Sequence, residues 1–378
     1  MKRFVVHSLI ACGLIIYNPA TGAAKEANAP VKIDYSRIAF DSAPGRDSFS
    51  LAMQAAARLL GSKAGYAEIL ALSTNGFAPD VRPDEECRSD WMTRGRGQCL
   101  DLVADRLGIK VRPLGGFAAR EYGKKPDPDA AQKAAVLIAD ALSKGEVVIT
   151  DSGWNESFSL WGIVTAANVD GRIGGANPAA KNNSLDHACS FWALSRGGSE
   201  MPQAEADRVM LARAAARIRG DREPFRPDSL VLGLPATGAP AVPGAVVWGL
   251  PAMDLWIAQM GKPAYQQDDP GSSAGNARMC ALYVSTGAKA TAAYLRRRMK
   301  SFPAAARRQL ESVAGRYEKV AALLEPYSVW KKGKGYQAFM GSLQEQNAHA
   351  DRVLRPVRVE LVAAAGEIET ALAAIGSR

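Results

Sequence analysis

Two stretches of this 378-residue chain carry residues whose types and spacing suit nucleophilic chemistry. Asp47-Ser48-Phe49-Ser50-Leu51-Ala52-Met53 sets hydroxyls at the start of an alanine-rich helix, where the positive end of the helix dipole favours an anionic nucleophile. Leu160-Trp161-Gly162-Ile163-Val164-Thr165 is a strand that leads through Asp170-Gly171 to Asn177-Pro178. A nucleophile at a helix start works with an imidazole at a strand start and a carboxylate or amide that orients the imidazole. Here the three places read Ser48, Leu160 or Trp161, and Asn177. A serine hydroxyl needs a base to take its proton, and neither leucine nor tryptophan is one. Each residue also has a plain structural use: Ser48 beside Asp47 as a helix N-cap, Trp161 as core, and Asn177 as the cap of a turn before Pro178.

A second nucleophile is Cys99, in the first turn of a helix behind the basic, glycine-containing loop Arg94-Gly95-Arg96-Gly97-Gln98. That setting lowers a thiol pKa, and Gln98 would be placed to donate to an oxyanion. The competing expectation is a disulfide between Cys87 and Cys99, twelve positions apart across a loop. Cys189 and Cys280 are a less secure second pair. A base for either nucleophile would have to be His187, beside Asp186, because the remaining histidines are His7 and His349. A loop histidine is more often solvated than catalytic. With three histidines and no Cys-x-x-Cys pair, no metal and no cofactor are expected.

The N-terminus bears Lys2 and Arg3, an apolar run from Phe4 to Tyr17, then Asn18-Pro19 and small residues to Ala24. This run is too short to span about 30 Å of hydrocarbon, which takes about 20 residues, and it reads as a secretory signal cleaved near Ala23 or Ala24. Leu9-Ile10-Ala11-Cys12 also fits a lipid-attachment box, so lipidation at Cys12 is an alternative. Export places the cysteines in an oxidising compartment, periplasm or cell envelope, where disulfides persist.

The +9 net charge lies entirely in residues 276–378, with 17 Lys and Arg against 8 Asp and Glu. Such a half suits an anionic membrane or cell-wall surface, unless its charges are simply the solvated faces of Arg-rich helices. Arg296-Arg297-Arg298 and Lys331-Lys332-Gly333-Lys334 have few aromatic companions, so nucleic acid is not an expected partner.

Periodicity positions these groups. Helices are expected over 48–60, 66–72, 98–107, 127–143 and 204–219, and strands over 110–114, 147–150, 158–169 and 172–175, the last two joined by an Asp170-Gly171 hairpin turn. Residues 75–97 read as a long loop; residues 179–240 carry a weaker pattern, with a polar loop before the 204–219 helix, and Pro235 to Pro243 reads as a linker. Beyond Ala245 helices follow over 249–259, 276–301, 303–324, 336–349 and 356–375, divided at Pro303, Pro326, Gly333 and Pro356 into bundle-sized pieces.

Ser50 to Met53 through Leu59-Leu60-Gly61, then Gly65-Tyr66-Ala67-Glu68-Ile69-Leu70-Ala71-Leu72-Ser73, Gly76-Phe77-Ala78 and Cys87, resemble the opening of C39-like, papain-fold proteins related to butirosin biosynthesis protein H. Trp248-Gly249-Leu250-Pro251-Ala252-Met253-Asp254-Leu255-Trp256 and the helix from Asn276 are similar to the helical half of that group, so the resemblance spans most of residues 36–325. It implies an α+β papain-like (C39 peptidase-like) domain followed by an all-α helical bundle. The expected divisions are a signal peptide over 1–24, the papain-like domain over 30–180, a connecting segment with one helix and a Pro-rich linker over 181–243, and the basic bundle over 244–378. In that frame Ser48 stands at the thiol position and Asn177 at the orienting position, with Phe49, Leu160 and Trp161 lining a ligand cleft. The expected function is an exported pseudoenzyme or binding protein that holds a peptide or acyl-like ligand without turnover. The alternatives are an acyltransferase or amidase using Ser48 or Cys99 with His187, which an exported location disfavours because acyl carriers are cytoplasmic, and a structural helical envelope protein.

Overall fold

A computed structural model describes residues 33–41, 43–81, 100–116, 128–151, 153–155, 160–168, 170–186, 189–221, 247–260, 270–328 and 347–376. Helix α1 (Ser48–Leu59) starts where Asp47 accepts the Ser50 amide on its carboxylate, 2.8 Å away, so the cap is Asp47 and Ser48 is the first helical residue. A carboxylate in this place meets both the unpaired amides and the positive end of the dipole. The helix stops at Gly61, whose φ of +85° only glycine adopts without strain, with Ser62 N–H returning to Ala57 and Gly61 N–H to Arg58. Helix α2 (Tyr66–Leu72) follows.

The sheet is antiparallel and six-stranded, built from β2 (Ile109–Gly116), β3 (Val147–Thr150), β4 (Gly162–Ala167), β5 (Ile173–Ala176), β6 (Asn183–Ser184) and β7 (Ser190–Arg196) in the order β2-β7-β3-β4-β5-β6. A separate two-residue ribbon joins β1 (Asp80–Val81) to β8 (Val247–Trp248). The Asp170-Gly171 turn connects β4 to β5, with Asn168 N–H bonded to Arg172 O. The main departure from expectation is β7, which lies between β2 and β3 in a segment read as polar loop. The sheet therefore runs on to Arg196, past the boundary expected at residue 180.

Helix α4 (Pro128–Ser143) packs on one face of the sheet over Val148, Val164, Phe191 and Ala193. Helix α1 packs on the other over Val147, Ile149, Ile163 and Trp192, and that core is continuous with the helical half. Helices α3 (Leu100–Leu107) and α5 (Gln203–Arg219) pack on each other and on α2, and α1, against α2, β3 and β4, is buried from Ser48 to Ala57, wider than the single apolar face its spacing suggests. The helical half comprises α6 (Gly249–Met260), α7 (Pro270–Arg298), α8 (Ala304–Ser328), a π-helical turn (Ala350–Leu354) and α9 (Arg355–Gly376). Pro326 does not end α8, which reaches Ser328 two residues beyond it. Pro356 likewise lies inside a helical run, since the π-helical turn Ala350–Leu354 leads directly into α9. Among the described residues no helix is long and apolar enough to cross a membrane. The basic run at the end of α7 is engaged within the molecule: Arg296 pairs with Glu318, Arg298 with Asp207, and Arg297 lies 3.8 Å from Glu68.

Candidate functional site

Helix α1 and the start of β4 bring Ser48 and Trp161 together across 113 residues of chain. The Trp161 amide donates to Ser48 Oγ at 3.3 Å, so the hydroxyl acts as an acceptor for a strand-end N–H. The Phe49 ring meets Trp161 edge-on at a centroid separation of 4.9 Å, and Trp192 stacks on the indole at 5.3 Å. All three aromatic side chains are buried, and Ser48 is 6% exposed. An imidazole serving Ser48 would need to lie within about 3 Å of Oγ or act through one water. Among the described residues the one group bonded to this hydroxyl is the Trp161 amide.

Beneath Ser48 lies a buried polar cluster. Asp47 takes the Ser50 hydroxyl at 2.6 Å in addition to its amide, and Asn75 Nδ2 approaches at 3.4 Å. The Asp47 amide in turn donates to the Tyr66 hydroxyl at 2.8 Å. Burial pushes the Asp47 carboxyl above its ordinary value, against the opposing pull of the Ser50 and Asn75 bonds and of the Arg217 guanidinium. Burial likewise raises the Tyr66 hydroxyl, and the Asp47 charge adds to it. Arg217 reaches the Thr74 hydroxyl at 3.4 Å, and Thr74 is the one non-glycine residue with positive φ among the described residues, at 58°. These groups fix the turn after α2 against the start of α1. They hold the helix end.

The remaining candidates separate. Phe49 and Trp161, expected to line a cleft, are fully buried core residues that pack on each other, and Trp192 covers Trp161. Leu160 belongs to the opposite side of the sheet, packed against the α4 core, with its carbonyl accepting from Trp154 Nε1 at 2.8 Å. Asn177 follows β5 one residue beyond the Ile163–Ala176 pair. Its Oδ1 accepts from the amides of Ala179 and Ala180 at 2.8 and 2.9 Å, so it caps its own turn. Cys87, Cys99 and His187 lie outside the described residues, as do Cys12 and the N-terminal segment. Cys189 and Cys280 form no disulfide: Cys189 is buried in the α4 core and Cys280 in the core of the helical half, so they cannot meet. Burial, and then the Asp151 charge, raise the Cys189 thiol well above its ordinary value, which makes it a poor nucleophile. His349 is buried against the Tyr327 ring at 4.1 Å, far along the chain in the helical half, and burial lowers it to about 4.

No family model matches the sequence, and no curated protein matches it. Trp192 and the Asp47–Tyr66–Asn75 cluster escaped the reading of the sequence. The signal for Trp192 was present in Phe191-Trp192-Ala193-Leu194, an aromatic and apolar run long enough for a buried strand. The cluster has no linear signature, since Tyr66 and Asn75 reach Asp47 only through the packing of α2 on α1.

Proposed function

We propose that the chain is a papain-like scaffold that has given up thiol and imidazole chemistry and acts by binding, as an exported protein, a peptide or acyl-like ligand that it does not turn over. One observation carries this reading. Ser48, at the helix start where a nucleophile would sit, accepts a hydrogen bond from the Trp161 amide, and the Trp161 ring is packed between Phe49 and Trp192. Among the described residues no base is hydrogen-bonded to this hydroxyl, and a serine nucleophile requires one. The basic helical half suits an anionic envelope surface: among the described residues of 276–378, nine exposed Lys and Arg stand against five exposed Asp and Glu.

The test is turnover. Purified protein incubated with thioester, ester and peptide substrates is expected to release product no faster than buffer, while a fluorescent acyl-peptide shows saturable binding. Hydrolysis that Ser48→Ala abolishes would refute the reading.

A further inference from the structure

A groove of about 590 Å³ opens at the far end of α1 from Ser48, between the C-terminal ends of α1 and α3 and the paired ends of β2 and β7. Its volume lies within the range of ligand sites in proteins. The floor is made of backbone. Gly198 N–H bonds to Gly108 O at 3.0 Å, and a Cβ at Gly198 would meet the Gly108 and Ile109 carbonyl carbons at 3.0 Å. Gly61 has no side chain, and the Arg196 guanidinium lies against it in the space a Cβ would take.

The charges around this floor do not cancel. Arg106 is held by Glu200 and Gln203, and Glu68 faces Arg297 at 3.8 Å. Arg196 and Lys63 line the groove with no carboxylate partner and no hydrogen bond among the described residues. The two helix ends contribute about half a negative charge each, which offsets roughly one of these two cations. One positive charge is left over, carried largely by a guanidinium whose fork matches a carboxylate or phosphate bidentately.

We infer that this groove binds a small polar ligand through a single anionic group, a carboxylate or a phosphate, held by Arg196 and Lys63. The inference does not depend on the Ser48 reading, because the groove lies at the opposite end of α1 and uses none of the same side chains.

Isothermal titration calorimetry of the full chain in low salt, with inorganic phosphate, glucose 6-phosphate, glucuronate and glucose as probes, tests it. At least one of the three anions is expected to bind with Kd of about 1 mM or tighter, while glucose does not. Arg196→Gln and Lys63→Gln should each weaken that binding, Arg196→Gln by at least about tenfold. Arg308→Gln, an exposed cation on α8 outside the groove, should leave it unchanged. Preference for glucose 6-phosphate over glucuronate assigns the group as phosphate, and the reverse as carboxylate. Because Lys63 is exposed, its variant reports even if Arg196→Gln unfolds. Absence of binding by all three anions, or equal binding by the wild type and Lys63→Gln, would overturn the inference.

Discussion

The Ser48 hydroxyl makes its described bond as an acceptor, at 3.3 Å from the Trp161 amide, and side-chain replacements should report that role as stability. Ser48→Ala is expected to cost about 1 kcal/mol in urea unfolding, the usual worth of one long buried hydrogen bond. Trp161→Ala should cost about 3–5 kcal/mol, because it opens a cavity between Phe49 and Trp192. His349 gives a pH dependence of definite sign. Burial holds it near 4 in the folded chain against about 6.5 when unfolded, so the unfolded chain takes up the proton first as pH falls. Its contribution is therefore fully present above about pH 6.5 and lost progressively down to about pH 4, on the order of 3 kcal/mol in all. The difference in unfolding free energy between wild type and His349→Phe, measured at pH 7 and pH 5, should change by at least 1 kcal/mol in the variant's favour at the lower pH. At this scale the nearness of Ser48 to Trp161 was legible from the helix start and strand start. So was the plain use of Asn177, which caps its own turn through the Ala179 and Ala180 amides, a local contact that competes with any role at a distance.

Elements were legible where the signal is local. The Asp170-Gly171 turn, the α1 stop at Gly61 and the bounds of α2 follow from glycine conformations and short-range spacing. Strand β7 was missed because its partners are distant: it pairs with β2 about 80 residues earlier, and no nearby turn announces it. The expected breaks at Pro326 and Pro356 are absent: α8 runs two residues past Pro326, and the π-helical turn Ala350–Leu354 leads directly into the helix that holds Pro356. Two glycines set the closeness of β4 and β5. A side chain at Gly162 would strike the Trp154 ring and the Ala176 carbonyl, and one at Gly175 the Ile163 carbonyl. Gly162→Val should therefore destabilise the chain by several kcal/mol, on the order of 3 or more, with loss of the near-ultraviolet circular dichroism contributed by the packed tryptophans. A stable Gly162→Val variant with an unchanged spectrum would contradict this packing.

Over the whole molecule, the α1 face of the sheet and the helical half share one core from Phe49 to Ala371, so the two halves should unfold together in one transition. The α8–α9 contact is reinforced by Arg316, which bridges Glu360 at 2.9 Å and Glu367 at 2.6 Å. Arg316→Ala is expected to cost about 1 kcal/mol, less in high salt, since these side chains are only partly buried. A mixed α and β chain with an antiparallel sheet and a helical half was legible from periodicity, whereas the fusion of their cores was not, because which helix faces meet is decided by packing over long sequence separations. The account rests most on Ser48 being a structural hydroxyl. Intact-mass spectrometry after incubation with a fluorophosphonate probe, on wild type and Ser48→Ala, tests this directly. No adduct on either protein is expected; a stoichiometric adduct on the wild type that Ser48→Ala removes would contradict it.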